Sequence, residues 1–232
     1  MTKAQSRPVA GLRNGRIPLG IKIVYTAFMG VLIPYYWATY GPVNFLWFCD
    51  VALLVTLVAL WLENPLLASM QAIAILLPQM LWVVDFLARL IAGAPIIGLA
   101  DYMFDPKIPW YVRGLSLFHG WLPVLLAWMV WRLGYDRRAW IAQIVVAWVL
   151  LLVCYHYTPL PPAPPEDPNA AVNVNWVFGF REKEAQTWMD PRLYLALLMA
   201  FFPVCIYWPT HLALGRLVAD WRTIATRQPG PG

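Results

Sequence analysis

Residues 66–91 read LLASMQAIAILLPQMLWVVDFLARLI. Apolar residues fill this stretch, and its two charges, Asp85 and Arg89, stand near its end. A helix that crosses a bilayer needs about 20 apolar residues at a rise of 1.5 Å each, so the stretch predicts a membrane span. It is not isolated. Hydrophobic residues are 61% and charged residues 12% of the 232-residue chain, whereas a soluble domain is about 25% charged. The fold class expected is therefore an all-α polytopic membrane bundle. A cytosolic enzyme, a secreted domain and a disordered chain are excluded. The net charge of +5 does not indicate a nucleic-acid partner, because the basic residues sit at the ends of apolar blocks.

Working outward, six spans are expected, at about 19–40, 43–62, 66–91, 114–133, 139–157 and 193–215. Gly41-Pro42, Glu63-Asn64-Pro65 and the polar run Gly134–Arg138 punctuate them. Residues 1–18 form a basic tail and residues 216–232 a polar one. The first apolar block is too long for a signal peptide and no small-x-small cleavage site follows it. Loops 94–111 and 158–191 are long for a helical bundle. The second contains Pro159–Pro168, with six prolines, which predicts an extended solvated segment. Asn173–Phe180 is aromatic and polar, as befits a segment that packs on helix ends. Fourteen Trp and eleven Tyr gather near span ends, as interfacial belts do.

The positive-inside rule sets the orientation. With the N-terminus inside, Lys3, Arg7, Arg13, Arg16, Lys22, Arg132, Arg137, Arg138, Arg216, Arg222 and Arg227 are inner, eleven cations. Arg89, Lys107, Arg113, Arg181, Lys183 and Arg192 are outer, six. Both termini are then cytoplasmic, and the natural compartment is a bacterial inner membrane.

Ionisable groups at membrane depth are site candidates. The topology puts Cys49 and Asp50, Asp85, His119, and Cys154 with His156 into one layer near the outer surface. Gln79, Trp82, Asp85 and Arg89 are spaced 3, 3 and 4 and share a helix face; Asp85 and Arg89 are placed to pair. Pro78 and Pro123 free the carbonyls of Ala74 and His119. His119 suits proton transfer, and Cys49 is a nucleophile given a base beside it. Asp50 or Asp85 would orient the imidazole. Gln79, Trp82 and Arg89, with Asn173, Asn175 and Trp176, are the candidate substrate contacts. Each group also has a plain reading: a satisfied core histidine, a small apolar cysteine, an interfacial ion pair. The three cysteines are scattered, and the three histidines make no H-x-x-x-H or Glu-x-x-His pattern, so no disulfide framework, metal or other cofactor is expected.

The order of these elements carries a resemblance. Leu46-Trp47-Phe48-Cys49, then Phe104-Asp105-Pro106, a span with a buried His119, the loop Asn173–Phe178 and the run Asp190–Tyr194 together resemble the YwaF-type integral membrane proteins and the transmembrane acyltransferase-like family. Asp50 stands where that family has a serine-like residue after the cysteine. The chain is also similar to a group of bacterial membrane-associated proteins with Asp101–Pro106 and Gly114–His119. The first resemblance implies a thiol–imidazole site acting on the acyl chains of membrane lipids, with Cys49 as nucleophile and His119 as base. The alternatives are a small transporter lined by Asp50, Asp85 and Arg89, and an accessory subunit that meets a protein partner through loops 94–111 and 158–191.

Overall fold

The computed structural model describes residues 17–167, 170–181 and 184–227, with side chains as far as 218; the expected basic tail lies almost wholly outside them. The elements are α1 (Leu19–Tyr40), α2 (Phe48–Leu62), α3 (Pro65–Ala92), α4 (Trp110–Ser116), α5 (Phe118–Leu133), α6 (Ala139–Tyr157), α7 (Pro191–Phe201) and α8 (Trp208–Arg227). A π-helical turn, Phe202–Tyr207, joins the last two. Short 3-10 turns occupy Pro42–Leu46, Asp101–Phe104 and Val174–Trp176. No strand forms among the described residues, apart from one isolated bridge.

Local chemistry sets the boundaries. Asn64 and Asp190 cap α3 and α7 by accepting backbone N–H groups of the first turn, and Pro65 and Pro191 follow at the first helical position. Gly93 closes α3 in the left-handed region at φ 73°, which costs glycine nothing. Five helical segments are long and apolar enough to cross a membrane: Leu19–Tyr40, Pro65–Ala92, Trp110–Leu133, Ala139–Tyr157 and Pro191–Val218. The chain is thus built as a multi-pass membrane protein.

The second expected span departs from this. Residues 43–62 are not one helix: α2 has 15 residues, preceded by a 3-10 turn and an extended Trp47 at ψ 137°. Gly41-Pro42 starts the tighter turn, and composition alone does not distinguish it from a longer helix. Even so, α2 runs between the same two ends of the bundle as its neighbours. Phe48 N–H donates to Asn175 in the long loop, while Glu63 at the far end accepts from Lys22 Nζ at 2.6 Å and from Ile17 N–H at 3.2 Å. The end holding residues 17–18, 63–64 and 134–138 is called here the turn face, and the end holding 41–47, 93–109 and 158–190 the loop face.

α3 lies at the centre, packed chiefly against α5 and α2, then α6. Lipid is as apolar as a leucine side chain, so close packing rather than hydrophobicity joins such helices. The residues at the contacts are accordingly small: Ala52, Ala59, Ala68, Ser69, Ala72 and Ala74 are all buried. At the turn face, Asp136 N–H donates to Ser69 Oγ at 3.0 Å, and the Arg138 guanidinium beside Asp136 holds its carboxyl below the usual range.

The expected fourth span, 114–133, begins earlier, at Trp110, and breaks at Leu117. The expected sixth, 193–215, begins at Pro191 and remains helical to Arg227. Within it, Pro203 lacks an N–H, so the carbonyl of Met199 loses its helical partner. The indole of Trp148 on α6 supplies one, with Nε1 donating to Met199 O at 2.8 Å, and the π turn takes up the proline ring. Trp148→Phe is expected to leave that carbonyl unpaired and cost about 1–2 kcal/mol. A thermal melt in detergent is the check; an unchanged midpoint would show that water or lipid glycerol already serves the carbonyl.

Candidate functional site

The first turn of α2 brings Cys49 and Asp50 to the loop face. The thiol donates to Asp50 Oδ2 at 3.6 Å, and Oδ1 of the same buried carboxylate has no partner. From α1, Tyr36 comes within electrostatic reach of both, and its hydroxyl meets Ser116 Oγ at 3.2 Å. Ser116 ends α4, three residues before His119. Its carbonyl faces His119 Nδ1 at 2.8 Å, so Nδ1 carries the proton and Nε2 keeps its lone pair. The imidazole is clamped between two rings, Trp82 at 4.8 Å and Phe118 at 4.1 Å between centroids.

From α3, Trp82 stacks on His119, and Gln79, one turn before it on the same helix face, is buried as well. Neither polar atom of the Gln79 amide has a partner, and neither does Trp82 Nε1. Tyr102, from the 3-10 turn of loop 94–111, lies against Ser116 and the Trp82 indole and within electrostatic reach of Cys49. Its hydroxyl is not in hydrogen-bond geometry with that indole, so Trp82 Nε1 counts as free. Five helices and one loop therefore contribute to a buried polar region with four unpartnered atoms: Asp50 Oδ1, Gln79 Oε1, Gln79 Nε2 and Trp82 Nε1. Buried polar atoms are paired in nine cases of ten or more, and exceptions call for a ligand or water. Two surface grooves lie elsewhere, about 670 Å³ beside Lys22 and Glu63 and about 430 Å³ beside Trp188 and Phe201.

Of the expected layer, Cys49, Asp50 and His119 share surroundings with Tyr36, Ser116 and Tyr102, whereas Asp85, Cys154 and His156 have other neighbours or are exposed. Cys49 and His119 are not hydrogen-bond partners; Tyr36, Ser116 and Tyr102 stand between their surroundings. Asp85 neither orients the imidazole nor pairs with Arg89. Its Oδ1 accepts the N–H groups of Ile96, Ile97 and Gly98 at 2.8, 2.8 and 3.2 Å, and its Oδ2 that of Ala100 at 3.0 Å. Four nearby donors outcompete a guanidinium one turn away. Arg89 instead stands 4.0 Å from Asp101 and over the Phe104 ring. Asp85 therefore fastens loop 94–111 as a lid over Trp82, aided by an apolar contact of Trp82 with Ala100 and Met103.

The asparagines of the long loop also hold the backbone. Asn173 donates to the carbonyls of Gly179 and Arg181 and accepts from Phe178 N–H. Asn175 accepts from Phe48 N–H and donates to Leu46 O and, at 3.4 Å, Cys154 Sγ. Trp176 meets Trp47 edge-on, and its carbonyl accepts from Tyr194. These residues position the turn that presents Cys49, and the amide hydrogens of both asparagines are taken by the protein itself. His156 is exposed, and His211 lies at the turn face against Tyr135. Tyr36, Tyr102 and Ser116 are site members the sequence reading omitted. Ser116 stands in the Gly114–His119 motif and Tyr102 in Asp101–Pro106, so two of the three were in quoted stretches.

Fold and site together define a multi-pass helical membrane protein with a polar cluster at one end of its bundle. No protein-family model, curated protein or solved structure matches the chain.

Proposed function

We propose that this chain is a six-span membrane protein with both termini cytoplasmic, in a bacterial inner membrane, and that its polar cluster is an acyl-transfer site for membrane lipids. The observation that carries this is the gathering of Cys49, Asp50, Gln79, Trp82 and His119 around unpartnered buried polar atoms. Cys49 and His119 are each partly exposed as residues, on a bundle end that lipid would surround. The short α2 spans with its 3-10 turn, and the resemblance to the YwaF-type and acyltransferase-like proteins points the same way.

The thiol's nearest proton acceptor is Asp50. In the first half-reaction Cys49 gives its proton to that carboxylate and its sulfur attacks the ester carbonyl carbon. The ester C–O bond breaks, and the proton passes to the departing lyso-lipid oxygen. The acyl group remains as a thioester. In the second half, an acceptor hydroxyl, of water or of another lipid, loses its proton to His119 Nε2 and attacks the thioester. The sulfur leaves and recovers a proton. Gln79 Nε2 and Trp82 Nε1 are free donors suited to the carbonyl oxygen as it becomes negative.

One observation favours a second reading, lipid binding without turnover. A thiolate needs a positive neighbour, and the neighbour of Cys49 is a carboxylate. Purified protein in phospholipid vesicles decides between them, with lyso-lipid and acylated Cys49 read by mass spectrometry. Wild type is expected to form both, Cys49→Ala neither, and His119→Ala about one lyso-lipid per chain with acylated Cys49 accumulating and turnover about 10²–10⁴-fold slower. Undiminished lyso-lipid from Cys49→Ala would end the thiol mechanism. No product from folded wild type would leave lipid binding as the role.

A further inference from the structure

Arg113 has no part in the chemistry above, yet no carboxylate of the described residues balances its charge. Its Nη1 donates to Met103 O at 3.1 Å, and its Nε is buried without a partner. No carboxylate of the described residues pairs with it, whereas Arg89, the other arginine under the lid, has Asp101. A guanidinium stays protonated at any relevant pH, and an unbalanced charge beside a bilayer is costly. Its counter-ion is not among the described residues.

Its depth identifies the source. Trp110 and Tyr111, exposed one turn before Arg113, are aromatic anchors of the kind found at headgroup level. His119 follows six residues later in the same span, past the break at Leu117. Arginine's fork also suits two phosphate oxygens at once.

We infer that Arg113 binds the phosphate of a glycerophospholipid and seats it so that an ester carbonyl falls beside Cys49 and His119. This rests on the lipid reading of the cluster and adds to it the class of lipid and the residue that selects it. The same anion chemistry is available from soluble phosphate, so the test separates the two.

Native mass spectrometry of the full chain, released from vesicles of mixed phosphatidylglycerol and diacylglycerol, counts each lipid retained by wild type, Arg113→Gln and Arg113→Lys. A thermal melt certifies that each variant is folded. Wild type is expected to retain phosphatidylglycerol. Arg113→Gln should lose it at least tenfold while keeping diacylglycerol, and Arg113→Lys should lie between, having the charge without the fork. Millimolar inorganic phosphate should displace neither lipid. The inference is overturned if wild type retains no phosphatidylglycerol, if Arg113→Gln retains it undiminished, or if folded Arg113→Gln loses both lipids alike. Displacement of phosphatidylglycerol by inorganic phosphate would assign the site to a soluble anion and overturn it too. The lipid count needs no turnover, so an inactive wild type would sink acyl transfer while leaving Arg113 judged on its own result.

Discussion

Asp85→Ala is expected to free the lid. The carboxylate is buried and accepts four backbone N–H groups from one turn of chain. A hydrogen bond to a charged group contributes about 1.5–3 kcal/mol, and four on one residue do not add in full, so a loss of about 3–5 kcal/mol is expected. Most of it should appear locally, because the other ties of loop 94–109 are the apolar contact of Trp82 with Ala100 and Met103, the Arg113 bond to the Met103 carbonyl and ring contacts of Tyr102 and Phe104 with α3. Trypsin cleavage after the exposed Lys107 reads the opening directly. Where opening is fast relative to cleavage, the rate follows the open population, so it should rise about 10²–10³-fold. Asp85→Asn retains one acceptor but turns an amide N–H toward a backbone donor, and should fall between. Equal cleavage of wild type and Asp85→Ala would mean the lid is held by these other ties alone.

Asn175→Ala is expected to have the next largest effect. Truncation strands Phe48 N–H and the Leu46 carbonyl in apolar surroundings, about 2–4 kcal/mol. The melting midpoint of a chain this size should fall by roughly 5–15 °C. Residue 175 sits at φ 57°, where asparagine is better tolerated than most residues, so alanine adds backbone strain. Asn175→Gly avoids the strain but not the lost bonds, and should be destabilised less than alanine. A second consequence is local: the first turn of α2 loses its tether, so Cys49 should alkylate faster with a maleimide while Cys205, exposed on the π turn, should not change. Peptide mapping distinguishes the two cysteines. An unchanged Cys49 rate alongside a lowered midpoint would place the tether's whole effect in the loop.

The long apolar blocks and their proline and glycine punctuation were legible in the sequence, because helix length and capping chemistry are local. The length of α2 was not. Val43, Phe45, Leu46 and Trp47 are as apolar as any span residue, and nothing in composition marks them as a 3-10 turn and an extended residue. For the site, depth could be read and neighbours could not. Topology puts Cys49, Asp85 and His119 at one level, but which of them touch depends on how helices rotate against one another. Asp85 was misread for a plain reason: its partners are backbone N–H groups, which every residue but proline has, so no side chain announces them. Tyr36 was missed because a tyrosine near a span end reads as a belt residue until its hydroxyl is found against Ser116.

The brevity of α2 has a consequence for the surrounding bilayer. Fifteen residues extend about 22 Å, short of the roughly 30 Å hydrocarbon thickness. A deficit of that kind is met by thinning the membrane locally or by filling the gap with protein. The chain does the latter on one side: Val174 and Val177 of the long loop are fully enclosed, and the loop closes over the start of α2 through Asn175. Irregular backbone is tolerated at membrane depth where protein encloses it. On the six-span reading, lipids shorten to match where that filling ends, drawing their headgroups and the water around them toward the bilayer midplane, and the lipids most disturbed are those lying against α2.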